Sequence, residues 1–354
     1  MIDAKLSHRI TTMKLLCAVL VVFTHCQFVG NGAVHHWLRE FVMYGICRIA
    51  VPFFFTVSGY FLAAHIGEPK WWRSAIQKRF WSLIVPYVVW CGLFIVVSYM
   101  ILSAQGRLVL SPVAILKDIG FDLRCPPLLV PLWYVRALLI LILLSPLLGK
   151  LIMKSKVIAL FYLLSLGWVC FIYRPYSDCG HSSWYCLFNY GISLEGLLYF
   201  SIGVYLNKYP IGEPARMTAL LSLISGVLLF VTRAWLLIHT EYQWLACQIG
   251  FFAIPFLLFG VFSLLPSFQT TRFIEKASFP VYVSHLFFLA ALGGRLSRGG
   301  AWRHFPPPHI NQWVFRGIFT ILMSITMFWV LNRYCPNLSS IVFGERSSYR
   351  RKRV

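Results

Sequence analysis

The feature that most limits what this chain can become is a set of long stretches without a single Asp, Glu, Lys or Arg. They cover residues 15–38, 49–67, 80–106, 157–173, 242–271 and 277–294. A soluble core cannot enclose that much apolar surface, whereas a bilayer accepts it and asks for about 20 apolar residues per helix. Of the 354 residues, 59% are hydrophobic and only 12% charged, well away from the balance of a soluble domain. Lipid offers no water to open backbone groups, and nothing in these stretches alternates as barrel strands do, so the spans are helices. The sequence predicts an all-α polytopic membrane helix bundle.

About ten transmembrane helices are expected, near 13–28, 43–64, 80–102, 128–149, 157–173, 190–206, 217–238, 244–265, 279–293 and 312–334, the ninth short and interrupted by Pro280. They form one domain over residues 1–340, followed by a basic cytoplasmic tail, 341–354. The net charge of +21 is explained by topology and not by nucleic acid, because Lys and Arg collect in cytoplasmic loops. More than half of the 32 basic residues fall in alternate connections, around Lys14, Arg79, Lys154, Lys208, Arg272 and Arg333 onward. Both termini are therefore expected in the cytoplasm, with the chain multi-pass in the cell membrane. The first apolar run contains His25 and no clear cleavage site, which reads as a retained span rather than a signal peptide. Ten cysteines without a CxxC pair indicate neither zinc nor a redox motif. Most are expected within helices. Cys125, Cys179 and Cys186 fall in outer connections, as a disulfide or as free thiols.

Within the first span, Lys14 and His25 are eleven positions apart. That is about 20° from a whole number of turns, so they share a helix face about 16 Å apart along the axis. Lys14 stands at the inner lip, where an ordinary snorkelling anchor would also stand. His25 lies deep in the span, where polar side chains default to functional candidates; a hydrogen-bonded packing histidine is the plainer alternative. Between them Cys17, Ala18 and Val21 are modest in size. A basic lip, a narrow stripe and an imidazole above suit a passage for a long substrate with an anionic head.

Other polar residues lie in the same half of the membrane as His25: Arg48, Arg136, Glu195, Arg233 and Arg316. A wet outer cavity would explain them, with Glu195 paired to Arg48 or Arg136. Arg233 and Arg316 are equally explained as outer headgroup contacts. On the inner side, Lys70, Arg73, Lys78 and Arg79 stand beside aromatics at the start of the third span. They suit a phosphate-rich ligand or simple topogenesis. Trp133 and Tyr134 sit where interfacial aromatics gather, and Trp133 is kept as an acceptor contact. Ser58 and Ser278 lack a G-x-S-x-G frame, so a serine hydrolase has no support.

Taken in order, these segments resemble the acyltransferase-3 family of integral membrane acyltransferases. The resemblance is carried by Lys14, ten residues and His25; by "RIAVPFFFTVSGYFL" with Arg48, Pro52, Phe54, Ser58 and Gly59; and by "KRFWSLIVPYVVW" with Arg79 and Pro86. It continues in "PLWYVRALLILILLSPLL", "YFSIGVYL" and "SFPVYVSHLFFL", the last with Ser278, Tyr282 and His285. Lys14 stands where the family more often has arginine, and Ser82 where a second basic residue is common. The chain is similar to the stand-alone branch, whose members mostly O-acetylate cell-envelope glycans or their lipid-linked precursors.

The resemblance implies a membrane-bound O-acyltransferase that takes acetyl, or another acyl group, from cytoplasmic acyl-CoA to a glycan hydroxyl. It implies no permanently bound cofactor and no metal. Donor phosphates are expected at Lys14, Lys78 and Arg79. His25 is expected to act as general base, or to carry the acyl group itself. Arg48 would stabilise the oxyanion, with Glu195 as the group that holds the arginine or His25 in place. Arg136, Trp133 and His285 would meet the acceptor, His285 being either a second acid/base group or a packing histidine. The rival class is a transporter of a small polar metabolite or lipid-linked sugar, which also needs buried charges and broken helices, although no repeat between the two halves is evident.

Overall fold

The computed structural model describes residues 4–26, 33–104, 106, 111–120, 123, 127–178, 187–294 and 310–344. Cys125, Cys179 and Cys186, and most of the basic tail, lie outside them. The described chain is helical, without strands. Its main helices are α1 (Ala4–His25), α2 (Ala33–Leu38), α3 (Ala50–Ala63), α4 (Trp71–Arg79), α5 (Val85–Ala104), α6 (Pro112–Ile119) and α7 (Trp133–Lys154). There follow α8 (Lys156–Asp178), α9 (Leu194–Lys208), α10 (Arg216–His239), α11 (Gln243–Leu264), α12 (Arg272–Gly294), α13 (Ile310–Tyr334) and α14 (Pro336–Val342). Nine stretches among the described residues are long and apolar enough to cross a membrane. A polytopic helix bundle is therefore the architecture, close to the ten spans expected.

The differences have local causes. The second and third spans start earlier than expected and run over Val34–Ala63 and Trp71–Ala104. Each begins with a short helix joined through a π-helical turn, Arg39–Met43 or Phe80–Ile84. A π turn inserts a residue without breaking the axis, which breaks the 3.6 periodicity that sequence reading follows. The ninth span is not short. Helix α12 has 23 residues and passes through Pro280, a length of about 34 Å. Its first turns carry Arg272, Glu275 and Lys276, ahead of the charge-free run 277–294. At the other end of the chain, Val342 and Phe343 belong to the bundle and not to a tail. Trp90 Nε1 donates to the Val342 carbonyl at 3.1 Å, and Phe343 is buried.

Two features bear on which ends lie together. The start of α1 meets the connection after α9, where Lys5 Nζ pairs with Glu213 at 2.9 Å and holds that carboxyl below the usual range. Helices α1 and α12 run in the same direction: Lys14 and Ser278 share one cavity, while His25 and His285 face each other further along. Parallel first and ninth spans require an even number of crossings between their starts, as the ten-span count does.

Helices α3 and α9 touch backbone to backbone. A Cβ on Gly59 would come within 2.0 Å of the Phe200 carbonyl oxygen, and one on Gly203 within 1.9 Å of the Thr56 oxygen. Small residues let membrane helices approach this closely, where packing rather than the hydrophobic effect holds them together. Neither carbonyl can swing away as a side chain would. Gly203→Ala is expected to force the pair apart at a cost of about 1–3 kcal/mol, read as a lower melting temperature in detergent; an unchanged melt would show that α3 and α9 adjust freely.

Candidate active site

The site is assembled on α1 and α12, with α3, the end of α4 and α7 closing it. On α12, Ser278, Tyr282 and His285 follow the i, i+4, i+7 rule and share a face. On α1, the stripe between Lys14 and His25 is buried: Cys17, Ala18 and Val21 are at most 6% exposed. Ala18 packs with Val22, Cys26 and Val281 in one cluster, so small side chains on α1 bring α12 close.

At the Lys14 end lies a cavity of about 270 Å³ lined by Lys14, Ser58, Arg79, Tyr134, Ser278 and Tyr282, together with apolar residues. Two cations therefore face one half-buried space among four hydroxyls. Lys14 Nζ also stands 5.0 Å over the Phe61 ring. The charges that act on Lys14 are Arg79, which repels it, and Glu275, which attracts it. Lys78 is exposed and is not among the lining residues. The expected trio thus reduces, at this cavity, to Lys14 and Arg79.

The cavity wall leads to the imidazoles. Tyr282 lines the cavity, and its hydroxyl donates to the Pro131 carbonyl. The Tyr282 main-chain carbonyl accepts from His285 Nδ1 at 2.6 Å. The His285 ring lies 5.2 Å from that of His25, centre to centre, with the planes 36° apart. His285 is fully buried, whereas His25, the last residue of α1, is partly exposed. The sequence put His25 and His285 in separate roles; the fold makes them neighbours.

The remaining candidates separate by what their side chains do. Arg136 is 7% exposed and donates to the carbonyls of Gly120 and Tyr190 at 2.7 and 3.0 Å. It ties α6 and the segment before α9 to α7. Trp133 stacks edge-on with Tyr190 at 5.6 Å and packs beside Phe55. Arg48 is exposed, lies over the Tyr44 ring at 5.8 Å and is the charge that acts on His25. Glu195 sits in the first turn of α9, behind the Ser193 cap; α9 packs chiefly on α3 and α7, while α1 packs on α12, α3 and α13. Arg233 does not simply reach outward: it donates to the Glu40 carbonyl at 3.0 Å, with the Glu40 carboxylate 3.7 Å away.

Sequence reading passed over Glu40, because it lies just before the expected second span. It also missed the joint placement of Ser58, Tyr134, Ser278 and Tyr282. The spacing of Ser278, Tyr282 and His285 carried the signal for one shared face.

Compared with known families, residues 7–333 match the family described as Acyltransferase domain, acyltransferase-3. The chain belongs to the acyltransferase-3 family. Among curated proteins, the succinoglycan biosynthesis protein ExoH of Rhizobium meliloti (strain 1021) is 30% identical over 184 residues. That match takes in 46% of this chain and 48% of ExoH, so the chain spans about half the length of the curated relative it matches. No solved structure matches the chain. For an acyltransferase-3 protein, a cationic cavity whose Tyr282 wall lies one helical turn from His285 is an arrangement that can hold an anionic group at one end and move a proton at the other.

Proposed function

We propose that this acyltransferase moves an acyl group, acetyl in the first instance, from acyl-CoA to a hydroxyl of a cell-envelope glycan or its lipid-linked precursor. The observation that carries the reading is the continuity from Lys14 and Arg79 through Tyr282 to His285 and His25. Two cations facing one cavity favour phosphate, which accepts charge-assisted hydrogen bonds from both. The cavity is slightly smaller than the usual ligand pocket of about 300–1,000 Å³, which suits an extended pantetheine arm with the nucleotide on the basic surface beside Lys78. The match to ExoH, named for succinoglycan biosynthesis, supports a polysaccharide acceptor.

In this reading the acceptor hydroxyl attacks the thioester carbonyl carbon while His25 takes its proton. The new C–O bond forms a tetrahedral intermediate whose oxyanion lies within the field of Arg48. Collapse breaks the C–S bond, and the leaving thiolate recovers the proton from His25 as free coenzyme A thiol. Positive-inside bias supports Lys14, and with it the donor, on the cytoplasmic side and the acceptor on the other.

The test is transfer by purified protein in detergent, from radiolabelled acetyl-CoA to glycan extracted from cells lacking the gene. The expected result is alkali-labile label on the glycan with one thiol released per acetyl. Label that stays on the donor in the presence of several acceptors would reject the enzyme, and uptake of a lipid-linked sugar by proteoliposomes without acetylation would favour the transporter.

A further inference from the structure

His285 presents a problem the proposed chemistry does not use. It is 0% exposed, and its Nε2 has no hydrogen-bond partner among the described residues. A buried ring nitrogen left unpaired costs about 1–3 kcal/mol, so such a group in a folded protein calls for a reason. The other nitrogen settles the proton. A carbonyl oxygen only accepts, so the 2.6 Å contact with Tyr282 requires the hydrogen on Nδ1. In the neutral ring Nε2 is then a bare lone pair. Tyr282 is itself fixed, its hydroxyl donating to Pro131, so the imidazole cannot turn over without breaking a bond held from both sides.

The neighbouring imidazole is that of His25, at 5.2 Å between ring centres. Two imidazoles joined by an N–H···N bond of about 2.9 Å have centres about 5 Å apart, since each nitrogen lies about 1.1 Å from its ring centre. The spacing is thus the one a direct bond needs, while the bond itself is open. His25 is the last residue of α1 and is partly exposed. Catalytic hydrogen bonds are often misaligned before substrate arrives and close afterwards.

Building on the proposed role of His25 as base, we propose that His285 is the positioning residue of the reaction: its Nε2 accepts the N–H of His25 and thereby aims the other nitrogen of His25 at the acceptor hydroxyl. A carboxylate performs the same task for the histidine of a serine hydrolase; in this protein a neutral imidazole takes its place. When His25 takes the hydroxyl proton, the resulting imidazolium keeps its N–H on His285. No charge has to be buried in the resting site, and Nε2 gains its missing partner only when the bond closes. The charged groups around the pair from the other helices are Arg48, which acts on His25, and Arg316, which acts on the adjacent Cys26.

The assignment separates stability from activity, and His285→Phe and His285→Gln test it in the full-length purified protein. Phenylalanine removes the unsatisfied nitrogen and keeps the volume of a ring, so the melting temperature is expected to hold or rise. Its kcat for acetyl transfer is expected to fall about 100-fold, with KM for acetyl-CoA within about threefold of wild type, since the donor cavity is untouched. Glutamine offers a carbonyl oxygen to the N–H of His25 and is expected to restore at least about a tenth of kcat. Wild-type rates in His285→Phe would overturn the inference. So would equal losses in both variants together with lower melting temperatures, the mark of a packing residue. If His25→Ala retains activity, the base has been misassigned and the dyad goes with it. If wild-type protein transfers no acetyl at all, the functional reading itself has failed, a result distinct from either.

Discussion

His25→Ala is expected to lower acetyl transfer by on the order of 10³-fold, the middle of the range for loss of a general base, while leaving donor binding intact. The fold tolerates the change. His25 is the last residue of α1, and alanine is the best helix former. The neighbouring anchor, Phe23, keeps its contact with Trp313 at 4.6 Å and its close seat against Gly317. Lys14, the donor cation on the same helix, lies about 16 Å down it, out of reach of a side chain truncated at its end. The loss should therefore appear in kcat and not in KM for acetyl-CoA, which is the signature of an interaction made in the transition state. His25→Gln should fare no better, because an amide can position a hydroxyl but cannot take its proton. Initial rates with purified variants decide the matter. A variant that acetylates glycan at the wild-type rate would leave His25 as a packing histidine and move the chemistry elsewhere.

Much of the architecture was legible because a membrane allows few solutions. Runs such as 242–271, free of charge, have to cross, and helices are the way for these sequences to do so. The boundaries were less legible at Arg39–Met43 and Phe80–Ile84, where π turns shift the periodicity without stopping the helix. Pro280 misled in the other direction. Proline usually marks a break, but α12 continues through it. At the site, the face shared by Lys14 and His25 follows from helix geometry alone, and the structure joins that face to α12. The pairing of His25 with His285 did not follow, because no periodicity relates residues on two helices 260 positions apart. The arginines show the same limit. Composition treated Arg48, Arg136 and Arg233 alike, whereas the fold commits Arg136 to backbone carbonyls and Arg233 to Glu40. Which partner a buried charge finds is a property of the tertiary structure.

Lys14→Gln and Arg79→Gln are each expected to raise KM for acetyl-CoA by about tenfold, the equivalent of about 1.4 kcal/mol of binding. The two cations come from different helices and repel across the cavity they line. A phosphate in the cavity would meet both charges at once. Deleting one charge should accordingly weaken the donor. Lys14→Arg, which preserves the charge and adds a bidentate fork, is expected to keep KM near the wild-type value. In all three variants kcat should stay within about threefold, because the histidine pair is undisturbed. A topogenic anchor behaves otherwise. Its loss reduces the amount of protein inserted in the membrane and leaves the KM of the surviving molecules alone. Measuring KM on purified protein, and yield beside it, separates these cases: unchanged KM with reduced yield would assign Lys14 to the bilayer and take the donor away from this cavity.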